Sequence, residues 1–143
     1  MNDDTVQLLK ECNLGCKMAV ESIHQVTEYA TDEKMLHLLE EYKQKHKELE
    51  VESEKLLLAA GLEGKEPGMM ASSFSWLSTE MKMMMEDDNR QIGKIMMDGC
   101  NMGIKSISEY RNQYANADRE ARNIARGILK VEEEFVQKLE KFL

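Results

Sequence analysis

The chain partly repeats itself. Residues 12–25 read CNLGCKMAVESIHQ and residues 100–113 read CNMGIKSISEYRNQ. Six of these fourteen positions are identical at a constant offset of 88: Cys12/Cys100, Asn13/Asn101, Gly15/Gly103, Lys17/Lys105, Glu21/Glu109 and Gln25/Gln113. Each copy leads into a short polar turn and a second segment with helical periodicity. The pattern describes two related helical hairpins with a connection between them.

Periodicity places the elements. In the first helix, expected over about 4–29, Leu9, Cys12, Cys16, Ala19, Ile23, Val26 and Ala30 recur in steps of three and four, which makes one buried stripe. Asp32 then offers an N-cap, and the second helix, over about 33–60, carries the series Met35, Leu39, Tyr42, His46, Leu49, Ser53, Leu56 and Ala60. Gly61 ends it, and Gly64, Pro67 and Gly68 form the clearest linker. A short helix is expected over about 73–86. Asp88 and Gln91 have capping-box spacing and open a long helix to about residue 115, followed by a last helix over about 118–142. The segment 61–87 is longer than a bundle loop needs and long enough to cross a bundle from end to end. The expected fold is all-α: a single domain over 1–143 that forms a ferritin-like four-helix bundle. It comprises a hairpin at about 4–60, a long crossover with a short helix at about 61–87, and a second hairpin at about 88–143.

The matched Gly15 and Gly103, the hairpins, a Trp76-containing crossover helix and the Cys-x-x-Gly of Cys100–Gly103 resemble a bacterial ferritin-like family of unknown function, domain-of-unknown-function family 2383. The resemblance spans nearly the whole chain and implies a four-helix bundle with no established activity. Members often carry a carboxylate directly after the matched glycine, where this chain has Cys16 and Ile104. The resemblance therefore does not carry over a carboxylate metal site.

Composition narrows the function. A formal net charge of −8 argues against nucleic acid and against an anionic membrane surface. No stretch approaches about 20 apolar residues, so no membrane span is expected. The three cysteines are expected to be reduced, in a cytoplasmic compartment. Di-iron bundles use Glu-x-x-His on two helices, and only Glu21/His24 has that spacing here. A ferroxidase is therefore not expected, and no cofactor is assigned.

His46 stands at an apolar position in mid-helix. By hairpin register it is expected level with Cys16, with Asn13, Asn101 and Glu132 within reach. One reading is a core histidine hydrogen-bonded to an asparagine or glutamate; another is a mononuclear metal site on Cys16, His46 and Glu132. Of twelve methionines, nine fall between Met69 and Met102, which suits either a copper site or an adaptable apolar surface. The surface reading makes Phe74, Trp76, Leu77, Met81, Met84 and Met85 a partner interface. The expected function is a non-catalytic interaction or structural module that self-associates as a homodimer. The rival is a metal-binding or metal-storage bundle.

Overall fold

A computed structural model describes residues 1–64 and 77–143. The described residues are helical, with no strand among them: α1 Asp3–Thr27, α2 Glu33–Ala59, α3 Thr79–Met85, α4 Asn89–Gln113 and α5 Arg119–Leu139, closed by a 3-10 turn at Glu140–Phe142. The long helices match their expected spans to within a few residues, because each start is fixed by a side-chain cap. Asn2 accepts from the Thr5 N–H, Asp32 from Lys34 and Met35, Asp88 from Arg90 and Gln91, and Asp118 from Ala121. Gly61 adopts φ 74° beyond the end of α2. There the Leu62 N–H reaches back to the Leu57 carbonyl and the Gly61 N–H to that of Leu58, a double closure that favours glycine at the left-handed position.

The short helix starts later than expected. Ser78 caps it, accepting from the Met81 N–H, so Leu77 lies outside the helix and α3 begins at Thr79. Residues 73–76 of the expected helix, with Phe74 and Trp76, lie outside the described residues, as does the linker at Pro67 and Gly68.

The two hairpins pack mainly within themselves, α1 on α2 and α4 on α5, and then on each other through α5. At one end, Leu8 and Leu9 of α1, Leu57 of α2, Ile107 of α4, and Ala117 and Ala121 at the start of α5 share an apolar cluster. At the other end, Ile23 and Val26, Met35 and Leu39, Ile92 and Ile95, and Phe135 and Leu139 share a second. Thus α1 runs antiparallel to α4, α2 parallel to α4, and the connection from α2 to α4 joins opposite ends of the molecule. The first end is tied by Asn2 donating to the Asn116 carbonyl, and by the Asn116 and Asp118 N–H groups donating to Asp4 and Thr5.

Of the six expected interface residues, Leu77 and Met85 are buried in the chain's own core, and Met81 packs against it. Met84 is exposed, as is its neighbour Met83. The expectation that all six face a partner is corrected on this point. α3 has two faces, and one of them is spent on α4 and the apolar cluster at its start.

Candidate functional site

Between the two apolar clusters lies one polar layer. On α2 it separates Tyr42 from Leu49, and on α5 it separates Phe135 from Ile128. Its members are His46, 1% exposed, and Glu132, 6% exposed. The Nδ1–H of His46 donates to the Tyr42 carbonyl at 2.7 Å. A carbonyl only accepts, so Nδ1 carries a proton and Nε2 is the nitrogen that meets Glu132. His46 Nε2 and Glu132 Oε1 share the second hydrogen bond. Burial opposes a charged imidazole, but the bond to Glu132, its charge and the Tyr42 carbonyl outweigh burial and raise the His46 pKa above its ordinary 6.5.

The layer follows the caps of the two second helices and not the 88-residue offset of the repeat, which would match His46 to Glu134. His46 stands fourteen residues beyond the α2 cap Asp32 (46 less 32), and Glu132 fourteen beyond the α5 cap Asp118 (132 less 118). Caps and paired side chains alike are 86 apart, so the pair joins equivalent positions of the two hairpins. Cys12 falls in one cluster and Cys100 in the other, as equivalent residues on antiparallel helices should. That cap-relative spacing is readable in the sequence, and it is the signal that singles out Glu132 from its neighbours Glu133 and Glu134.

Neighbouring groups differ from the expected layer. Asn13 is buried, but it donates to the Glu50 carbonyl, Ser53 Oγ and Glu54 Oε2, farther along α2 than His46. Asn101, its repeat partner, is exposed. Cys16 is buried among the apolar residues of the first cluster, and Cys100, rather than Cys16, stands with His46 and Glu132 at the cavity. All three thiols are pushed up, burial being the main cause in each: Cys12 to about 12 with help from Glu11, Cys16 with help from Cys12 and Glu132, and Cys100 with help from Glu132. Such thiols are poor nucleophiles and poor metal ligands. Among the described residues, no three His, Cys, Asp or Glu side chains are grouped to hold a metal ion.

Above this layer a cavity of about 310 Å³ opens between α1 and α4. His46 and Glu132 line it together with Gly15, Ala19, Gly99 and Gly103, whose small size leaves the space. α1 rests on both α4 and α5, so the cavity sits in a seam whose helices also touch. The two repeat glycines do different work. A Cβ on Gly103 would stand 3.0 Å from Glu132 Oε2, so its absence makes room for the carboxylate. A Cβ on Gly15 would meet only Ile107 Cδ1, at 3.8 Å. Neither glycine serves the close helix-to-helix approach that their matched positions suggest.

No helix among the described residues is long and apolar enough to cross a membrane. No family model, curated protein or solved structure matches the chain.

Proposed function

We propose that the chain is a ferritin-like four-helix bundle without catalytic chemistry, and that it works as a binding module. The connection from α2 to α4 between opposite ends supports the ferritin-like topology. The cavity between α1 and α4 carries the functional reading. It is apolar over most of its wall, within the size range of small-molecule sites, and has its few polar groups gathered on one floor. Both nitrogens of His46 are occupied, so the histidine on the floor is not free to serve as a base or to activate a nucleophile. Calorimetric titration with 2-phenylethanol, a neutral apolar probe, tests the reading. Saturable binding to the unmodified protein that is lost in Gly15→Leu supports it, since that side chain grows into the cavity. Absence of binding, or binding that survives the substitution, overturns it.

A second reading rests on a different observation. Met83 and Met84, 68% and 52% exposed, sit side by side on the outer face of α3. Exposed methionines of this kind favour adaptable protein contacts. They support self-association, most simply as a homodimer. Light scattering should give a dimer that Met83→Glu/Met84→Glu converts to a folded monomer. A monomer from the unmodified chain at high concentration excludes it.

A further inference from the structure

We infer that the α1/α4 cavity selects a hydrophobic cation, a primary amine on a compact apolar body, over neutral and anionic molecules of the same shape. The inference rests on the cavity being a binding site and adds the chemistry of its occupant. Size comes first. At about 30 Å³ per water-sized unit, 310 Å³ holds a body on the order of ten non-hydrogen atoms.

Charge comes next. The lining includes two carboxylates, Glu132 on the floor and Glu11 on the wall, and no lysine or arginine. The nearest positive group is His46, and its two nitrogens face the Tyr42 carbonyl and Glu132 Oε1. They have no donor left for a ligand. Glu132 Oε2 stands beside the bare Cα of Gly103, on the side that lines the cavity. A carboxylate oxygen has two acceptor sites, so Oε2 keeps capacity for a donor arriving from the cavity. Glu132 is itself buried, so this attraction is worth more than one at the surface. A carboxylate ligand brings no donor to Oε2 and sets a third carboxylate among Glu132 and Glu11. Phe135 and Tyr110 add aromatic surface to the walls, which suits the apolar body of such a molecule.

Methionine-methyl NMR and calorimetry with three probes that share a phenylethyl body decide the matter: 2-phenylethylamine, 2-phenylethanol and 3-phenylpropanoate at neutral pH. The amine should bind at least ten-fold more tightly than the alcohol, and the acid should not bind. Glu132→Gln should bring the amine down to the level of the alcohol. Where that variant fails to fold by circular dichroism, Glu11→Gln serves, with a two- to three-fold loss for the amine and none for the alcohol. Equal binding of amine and alcohol, or tighter binding of the acid, overturns the cation preference and leaves the binding site standing. Failure of all three probes overturns both.

Discussion

At the scale of single residues, the account turns on His46 and Glu132. A histidine and a glutamate are costly core residues unless each satisfies the other. Removing one leaves a buried charge or acceptor without its partner. His46→Ala should therefore cost about 3–5 kcal/mol in urea unfolding, and a loss below about 1 kcal/mol, the scale of an exposed pair, would contradict the pairing. The pair also ties stability to pH. The folded imidazole holds its proton more tightly than the unfolded one, whose value is 6.5, so the folded chain binds more protons over the interval above that value. Its contribution is complete below pH 6.5 and is lost as the pH rises through the raised folded value. Unfolding free energies across that interval should decline for the unmodified chain and decline less for His46→Gln. An identical decline in both would assign the effect to other groups.

The sequence shows His46 as a polar residue in an apolar series, and its helix-turn register brings Glu132 within reach. It does not show that Cys16 yields its place to Cys100. That choice depends on how α5 sits against α4, which no spacing within one helix reports. Asn13 and Asn101 make the same point. They are identical in sequence, yet only Asn13 lies against a helix with Ser53 and Glu54 to receive its amide.

At the scale of elements, capping explains why the long helices are legible. Asp32, Asp88 and Asp118 are each a local signal, and each accepts backbone N–H groups as local chemistry requires. α3 is less legible because a seven-residue helix has little periodicity to read, and Ser78 sets its start. The glycines of α1 and α4 separate local propensity from packing. Gly15→Ala adds a methyl at ordinary contact distance and should stabilise by about 0.5–1 kcal/mol through helix propensity. Gly103→Ala gains the same propensity but presses on Glu132 Oε2 at 3.0 Å, a carboxylate already held by His46. It should destabilise by about 1 kcal/mol net, within the range for crowding a packed site. Thermal unfolding of the two variants side by side checks the difference in sign. Equal effects would show that the carboxylate can move aside.

At the scale of the whole molecule, the repeat produces two hairpins whose equivalent second helices meet through the His46–Glu132 layer, with an apolar cluster on either side. The first helices, α1 and α4, complete the arrangement in contact with each other, and small residues on their facing sides leave the cavity in the seam. The sequence announces the hairpins through the 88-residue offset. It does not announce the cavity, because small residues at Gly15, Ala19, Gly99 and Gly103 suit a tight seam as well as an open one. Whether such a seam closes depends on how α1 and α4 are each held by α5, a property of the assembled helices.

The central claim is that this seam is open and apolar while the core on either side of the polar layer is closed. Xenon enters apolar cavities of this kind and leaves packed cores alone. The most direct measurement is methionine-methyl NMR under xenon pressure, because methionines report on both regions. Met18, Met96 and Met102 line the cavity, and Met35 and Met85 are fully buried in the core. The account predicts saturable shifts at Met18, Met96 and Met102, with Met35 and Met85 unmoved and the response removed by Gly15→Leu. Shifts of equal size at Met35 and Met85, or none at the cavity methionines, would contradict it.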